Sequence, residues 1–399
     1  MGISNGGVTL IIMPGAEGSS PVERLISEAR ETVALDLIEK ARRIEAVSRI
    51  VIATPSERFA SLVETGAKGD PSVEVELIDE ADFYFGLCLW GLIERYKIDR
   101  LIYFSGGSGA LLSEEELAGL AGLLLEEERL FLANNFYSTD FLALTPARAL
   151  LPLPPPENDN RLGWLLWEAG FKVAELPRTA STQFDVDTPT DLLILKIHPA
   201  AGPNIKEYLE RSDFNIELDV TRLTTTLRFF TSREATILVS GRVSAQTWRY
   251  LEEETACQAR VFSEERGLKA SGREERGEGR SLLGFLLEEV GPERFFRILS
   301  KLADLALIDS RVLFAHMRKW PTASDRFLSD LLRAEEIQDL EIREFTAAAR
   351  AAPLPVILGG HSLVSGGLYA LVELAWSRRG KNLEPRRRVR PLPVPIRPG

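Results

Sequence analysis

Residues 100–109 read RLIYFSGGSG, so a compact apolar segment runs directly into a glycine-rich one. A short, unbroken apolar run is typical of a strand buried on both faces of a parallel sheet. In open sheets of this kind, ligands bind at the loops that follow the carboxyl ends of the strands. The stretch therefore predicts an α/β fold with a ligand-binding loop at residues 105–109, although a tight strand-to-helix turn would need the same glycines.

The sequence on both sides of this stretch alternates apolar strand segments with segments of helical period. Besides 100–104, the predicted strands are residues 8–13, 49–54, 73–78, 131–133 and 172–176. The predicted helices are residues 22–44, 83–96, 113–128 and 164–170, and a further helix that begins after Thr188. This alternation predicts a Rossmann-type, mostly parallel sheet with helices on both of its faces.

The second half of the chain continues the pattern in shorter units. Strands are predicted at residues 235–240, 259–262 and 355–358, and helices at 245–255 and 367–376, with helical periods dominating residues 281–352. A chain of 399 residues is too long for one ordinary core. We predict an N-terminal α/β domain at 1–200, a mixed, helix-rich α/β domain of unknown role at 201–377, and a basic, proline-rich flexible tail at 378–399.

Composition excludes several classes of protein. A formal net charge of -11 disfavours nucleic acid as a partner, because phosphate backbones attract a surplus of Lys and Arg. The two cysteines, Cys88 and Cys257, supply neither a disulfide framework nor a thiolate metal cluster, which predicts a reducing, cytoplasmic setting. The first apolar run, residues 8–13, is too short to span a membrane, so no membrane partner is predicted.

Three motifs of the first half carry a resemblance to a known family. They are MPGAEGSSPVERL at residues 13–25, GGSGALL at 106–112 and DVDTPTDL at 185–192. Together they resemble the GT-A nucleotidyltransferase superfamily, in particular the branch of molybdenum-cofactor guanylyltransferase and 2-phospho-L-lactate guanylyltransferase. The resemblance covers about residues 8–196, and its fold agrees with the one that the strand pattern predicts.

The resemblance implies a site that binds a nucleoside triphosphate and Mg²⁺. The residues that it assigns to nucleotide and phosphate binding are Gly15, Gly18, Arg24, Gly107 and Ser108. It assigns catalysis and the metal to Asp185 and Asp187. The chain departs from the family at two places: Glu17 stands in the phosphate loop, and Ser108 stands where the family has an aspartate that binds Mg²⁺.

The spacing of Asp185 and Asp187 also predicts a metal site without reference to the family. Asp185 and Asp187 lie two residues apart in an extended approach to a helix, so both carboxylates can reach one face. Mg²⁺ prefers carboxylate and phosphate oxygens. The segment from Thr188 to Asp191 equally fits a helix cap, with Pro189 at the first helical position. A purely structural role for this segment therefore stays open.

A second polar segment follows the strand at 131–133. Its amide, hydroxyl and carboxylate side chains are those of Asn134, Asn135, Ser138, Thr139 and Asp140. The resemblance implies that this region holds the acceptor substrate. The alternative is a turn in which Ser138 or Thr139 caps a helix at residues 141–144.

His361 is the candidate residue of the second half. It lies in LGGHSLVSGG, residues 358–367, where glycines and hydroxyls follow a strand, as in an anion-binding or catalytic loop. His316 fits a packed structural histidine better. The chain contains no His and Cys spacing for zinc.

Three functional hypotheses follow. The first is a nucleotidyltransferase that takes a nucleoside triphosphate and a phosphorylated or acidic small-molecule acceptor. The second is a GT-A-like domain without turnover that serves as a ligand-binding or scaffolding module. The third is an independent anion-binding or transferase module around residues 359–367. The nucleobase, the acceptor and the oligomeric state are not predicted.

Overall fold

The computed structural model of the chain describes residues 6–15, 17–81, 83–211, 219–268, 272–273 and 276–379. Beyond its first two residues, the predicted tail at 378–399 lies outside them. The fold is mixed α/β with one seven-stranded and one four-stranded sheet, which confirms the predicted fold class. Among the described helices, none is both long enough and apolar enough to cross a membrane.

The first sheet is built from the strands of the N-terminal half. They are β1 Val8–Met13, β2 Val47–Thr54, β3 Val73–Leu77, β4 Leu101–Ser105, β5 Leu130–Ala133, β6 Phe141–Thr145 and β7 Val173–Glu175. Their order across the sheet is β3-β2-β1-β4-β6-β5-β7. Only β6 runs antiparallel to its neighbours among these seven strands.

The helix suggested for residues 141–144 is wrong, because these residues form β6. All five residues of Phe141–Thr145 are buried between β4 and β5, which pair with both of its edges. A short apolar run fits a buried strand and a buried helix equally well, so its period could not separate the two. Because β6 is antiparallel, Asp140 just before it lies at the edge where the parallel strands end.

Seven helices are described around the first sheet. They are α1 Pro21–Arg42, α2 Glu57–Ala67, α3 Phe85–Arg95, α4 Glu114–Glu126, α5 Leu162–Glu168, α6 Ala180–Gln183 and α7 Pro189–Ile197. α4 begins with a capping box formed by Ser113 and Glu116. α2 was not predicted, although Phe59, Val63 and Ala67 lie at helical spacing on its buried face and Ser56 caps its first turn.

The second sheet holds four parallel strands, β8 Thr236–Gly241, β9 Gln258–Ser263, β10 Leu305–Asp309 and β11 Val356–Gly359. Their order is β11-β10-β8-β9. The described helices of this half are α8 Pro203–Glu210, α9 Thr221–Phe230, α10 Ala245–Glu254, α11 Leu282–Val290, α12 Pro292–Leu299, α13 Ser310–His316, α14 Ala323–Asp330, α15 Leu340–Arg350 and α16 Gly366–Arg378. Helices do dominate residues 281–352, as predicted, but the strand β10, a fully buried five-residue run, was missed there.

The apolar cores of the two sheets are continuous. One buried cluster contains side chains from both, for example Leu10 of β1, Ile194 of α7 and Leu307 of β10. Helix α7 packs against β11, and α16 packs against α6 and α7. The boundary near residue 200 stays a prediction; the loops of the second sheet are held against the first by this shared core.

Candidate functional site

Loops from neighbouring strands meet at the carboxyl edge of the first sheet. The loop after β1 touches the loop after β4: a Cβ added to Gly106 would lie 2.3 Å from the Cα of Pro14. The segment before α7 joins them, because the Val186 N–H donates to the carbonyl oxygen of Gly107 at 3.1 Å. Two of the three sequence motifs are therefore in direct contact here, and the loop of the third adjoins them through Pro14.

Asp185 lies against Gly107 at the centre of this edge. A Cβ at Gly107 would lie 2.4 Å from the Oδ1 atom of Asp185, so only glycine leaves room for the carboxylate. That Oδ1 is buried and has no hydrogen-bond partner in the described part of the chain. Burial, together with the charges of Asp187 and Asp140, raises the pKa of Asp185 well above its usual range. The carboxylate lacks a counter-charge that would match its burial.

Asp187 is half-exposed and has a basic partner that sequence reasoning missed. The Nη2 atom of Arg30 donates to Asp187 Oδ1 at 3.1 Å, and its Nε atom donates to the Val186 carbonyl at 2.7 Å. Arg24, the basic residue named from the sequence, is exposed and donates to the Ser19 carbonyl at 2.8 Å. Arg30 lies in the middle of α1, outside any motif, so only the folded chain brings it to the acidic pair.

Two further carboxyl groups line the same crevice. Burial and the charge of Asp159 raise the pKa of Asp140 to about 7. Burial likewise raises the pKa of Asp159 to about 6, although the Tyr103 hydroxyl donates to it at 3.3 Å. Asp159 was not among the predicted site residues, since it follows a proline-rich loop with no strand or motif of its own. The crevice thus concentrates negative charge around Asp185.

The carboxylate oxygens of the acidic pair are ligand atoms of the type that Mg²⁺ prefers. Among the described residues no group of three or more His, Cys, Asp or Glu side chains is arranged to hold a metal ion. Mg²⁺, however, is usually held by one or two carboxylates, with substrate phosphates and water as its other ligands. Asp185 and Asp187 supply those two carboxylates, and the unpartnered Oδ1 of Asp185 is a suitable ligand atom.

The predicted phosphate loop after β1 contains a carboxylate that binds its backbone amides. Gly15 has a positive φ of 89°, which a glycine adopts without strain. Glu23 Oε2 accepts from the backbone N–H groups of Ser19 at 2.9 Å and Ser20 at 3.1 Å. Glu17 does not crowd these amides, since its carboxylate accepts from the Ser56 hydroxyl at 2.7 Å. The carboxylate at the start of α1 is therefore that of Glu23.

Gly18 and Ser108 both have structural partners. The Gly18 N–H donates to Ser27 Oγ at 3.2 Å, and a Cβ at Gly18 would lie 2.3 Å from the Arg24 nitrogen. Ser108 is buried, and its hydroxyl lies 3.0 Å from the carbonyl oxygens of Ser105 and of Asp140. Ser108 thus joins the loop after β4 to the predicted substrate loop.

The predicted substrate loop is internally hydrogen-bonded. The Asn134 amide nitrogen donates to Asp140 Oδ2 at 2.9 Å, while its oxygen accepts from the Asp140 N–H at 3.0 Å. Thr139 donates to the Asn135 carbonyl at 3.1 Å. Ser138 donates to Asn160 Oδ1 at 2.8 Å, so it faces the segment that carries Asp159. The loop is therefore held by hydrogen bonds of its own, and the charge of its last residue, Asp140, acts on Asp185.

His361 lies in the loop between β11 and α16 and faces the first sheet. A Cβ at Gly360 would lie 3.1 Å from the methyl group of Thr188 and 3.9 Å from Arg311 Nε. Burial, together with the charge of Arg242, lowers the pKa of His361 to about 4, although Asp187 acts in the opposite direction. His316 accepts from the Ser281 N–H at 3.0 Å inside the second half, which agrees with its predicted structural role.

No protein-family model matches the chain, and no curated protein matches it. Several solved structures are similar to part of it. A cytidylyltransferase from Leptospira borgpetersenii serovar Hardjo-bovis (strain JB197) has 17% identity and a TM-score of 0.37, over 53% of this chain and 98% of its own. CMP:2-keto-3-deoxy-manno-octonic acid synthetase, complexed with CTP, has 16% identity and a TM-score of 0.33, over 47% and 95%. A 4-diphosphocytidyl-2C-methyl-D-erythritol synthase from Anaerococcus prevotii has 11% identity and a TM-score of 0.32, over 44% and 88%.

Proposed function

We propose that the chain is a nucleotidyltransferase that joins the nucleoside monophosphate part of a triphosphate to a phosphorylated or acidic small molecule. The observation that carries the proposal is the Oδ1 atom of Asp185, which is buried, has no hydrogen-bond partner among the described residues and is pressed against the glycine loop of the central strand. A buried charge of this kind is costly unless a cation pairs with it. Asp185 and Asp187 would hold Mg²⁺, which would neutralise the phosphates that react.

In this reaction an oxygen of the acceptor forms a bond to the α-phosphorus of the triphosphate. The bond from that phosphorus to the oxygen bridging to the β-phosphorus breaks, and pyrophosphate leaves with the electron pair. Catalysis requires alignment of the two substrates and stabilisation of negative charge more than it requires a proton transfer. Arg30, anchored on the Val186 carbonyl beside the pair, is a cation that can stabilise such charge.

Triphosphate binding tests the proposal directly. We expect GTP, CTP or ATP to bind with at least tenfold higher affinity in the presence of Mg²⁺ than in EDTA, because two carboxylates repel a triphosphate until a cation bridges them. Isothermal titration of the full chain with each nucleotide, with and without Mg²⁺, measures this difference. Equal affinities in both buffers, or no binding at all, would contradict the proposal.

One observation favours the alternative of a binding module without turnover. Glu23 occupies the amides of Ser19 and Ser20, which directly follow Gly18 in the predicted phosphate loop. A helix N-terminus that already holds a carboxylate binds a second anion less well. Mg²⁺-dependent binding of a triphosphate without release of pyrophosphate, whatever acceptor is supplied, would support this second reading.

Substitution of Glu23 tests how far its carboxylate competes with phosphate. Glu23→Gln keeps a capping side chain at the third helical position but removes the charge. We expect the variant to bind Mg²⁺-triphosphate about three- to tenfold more tightly, since a helix terminus and one charge interact by about 1 kcal/mol. Calorimetric titration measures the change, and Glu116→Gln, in the matching box of α4, is the control. Unchanged affinity in Glu23→Gln would show that phosphates bind elsewhere.

A further inference from the structure

The loop after β11 belongs to the second sheet but is bonded to the acidic segment of the first. The Ser362 hydroxyl donates to Asp191 Oδ2 at 2.7 Å, and both residues are buried. The Thr190 hydroxyl donates to the Leu358 carbonyl at 2.6 Å. These two bonds hold the loop from both of its sides. His361, which lies between Leu358 and Ser362 in the chain, is therefore fixed beside the acidic pair.

The topological switch point of the second sheet, where successive connections leave in opposite directions, lies between the neighbouring strands β8 and β10. In the order β11-β10-β8-β9, the chain leaves β8 first toward β9 on one side and then returns to β10 on the other. Open parallel sheets bind ligands outside the carboxyl ends of the strands at such a point. The residues there are Arg242, which follows β8, and Asp309, which ends β10. The expected ligand edge of this sheet thus adjoins His361.

Arg242 is held at this edge in a fixed orientation. Its Nε and Nη2 atoms donate to the two carboxylate oxygens of Asp309, at 2.7 and 3.1 Å. Asp309 is fully buried, whereas 23% of the Arg242 side chain is exposed. A guanidinium fixed by a buried carboxylate is oriented in advance for a ligand, because no rotamer freedom is lost when the ligand binds.

Two further side chains at the carboxyl edge of the second sheet have hydrogen-bond donors that no described residue accepts from. In the part of the chain that the structure describes, neither the imidazole of His361 nor the guanidinium of Arg266 has a hydrogen-bond or ion-pair partner. Arg266 is exposed on the loop that follows β9, and its charge acts on His361. The other nearby arginine, Arg311, is paired with the buried carboxylate of Asp330. The hydrogen-bond donors that a ligand would meet at this edge thus belong to arginine, which is cationic, or to histidine, which can be protonated.

We propose that Arg242, Arg266 and His361 bind the oxyanion group of the acceptor, so that the two sheets together form one transfer site. The inference rests on the proposed function, since it places the acceptor opposite the acidic pair that would hold the metal and triphosphate. An anionic acceptor is repelled by a triphosphate, and the repulsion must be offset by cations on the acceptor side. The second sheet supplies those cations where the first sheet has carboxylates.

The three histidines of the chain provide the test. In NMR spectra of the full chain, without nucleotide and without Mg²⁺, we expect inorganic phosphate to shift the imidazole signals of His361 and to raise the pKa of this residue. The signals of His198 and His316 should not move. Arg242→Gln and Arg266→Gln should each weaken phosphate binding at least fivefold, because each removes one charged donor. Arg294→Gln, which removes an exposed arginine of α12, should leave it unchanged.

Arg266→Gln carries the test if Arg242→Gln fails to fold, because Arg266 is exposed. Acetate, titrated in the same way, separates a carboxylated from a phosphorylated acceptor, and binding of either supports the proposal. A phosphate response that is absent at His361, or equally strong in both arginine variants, would overturn it. Since the titration contains neither nucleotide nor metal, its failure is distinguishable from failure of Mg²⁺-dependent triphosphate binding.

Discussion

Asp185→Asn is expected to lower the affinity for Mg²⁺-triphosphate at least a hundredfold while it stabilises the protein without ligand. The buried Oδ1 of Asp185 has no partner among the described residues and lies against Gly107, so an amide there removes the carboxylate that would hold the cation. The same change relieves the cost of a buried charge beside Asp187 and Asp140. We expect a gain of about 1 kcal/mol in the free energy of unfolding at pH 8.

The opposite signs of these two effects distinguish a ligand site from a structural residue. Titration calorimetry measures the affinity, and chemical denaturation in EDTA measures the stability. Asp219→Asn is the matched control, because Asp219 is an exposed carboxylate that accepts from the Thr221 N–H at 2.8 Å, and asparagine can keep that bond. If Asp185→Asn destabilised the chain and left triphosphate affinity unchanged, the carboxylate would be structural.

The central strand and its loop could be predicted because their signal is local. The apolar run at 101–104 and the glycines after it need no knowledge of distant residues, and the structure places β4 at Leu101–Ser105. By contrast, β6 was considered only as a possible helix, and β10 lies in a stretch where helical periods were predicted to dominate, since a buried strand and a buried helix share an apolar composition when the run is short. Only pairing with neighbouring strands decides between them.

The candidate site was predictable only in part, for the same reason. Asp185, Asp187 and Gly107 belong to motifs, and the structure brings them together. Arg30 reaches the acidic pair from the middle of a helix, 157 residues away from Asp187 in the chain. Asp159 follows an irregular loop. Such partners depend on tertiary packing, and no periodicity or spacing in a single sequence reports them.

The free energy of unfolding without divalent metal is expected to fall by about 1 kcal/mol between pH 5 and pH 8. In the folded chain, burial first, and neighbouring carboxylates second, raises the pKa of Asp140 and of Asp191 to about 7. An unfolded chain ionises these groups near pH 4, so it binds fewer protons than the folded chain up to pH 7, and stability decreases as pH rises. Burial lowers the pKa of His198 and His361 to about 4. These two histidines make the folded chain more stable as pH rises to 6.5, because only the unfolded chain binds protons there. The expected value includes this opposing contribution.

Urea denaturation at a series of pH values, in EDTA and in excess Mg²⁺, measures this dependence. Mg²⁺ should flatten the curve, because a cation bound at the crevice favours the ionised carboxylates and thereby offsets the loss above pH 6. Asp140→Asn should flatten it in EDTA as well, since it removes one of the groups that titrate near pH 7. A stability that rises from pH 5 to pH 8 in EDTA would mean that the carboxylates of the crevice are ionised in the folded chain and already paired. In that case Asp185 would not need a metal ion to compensate its charge.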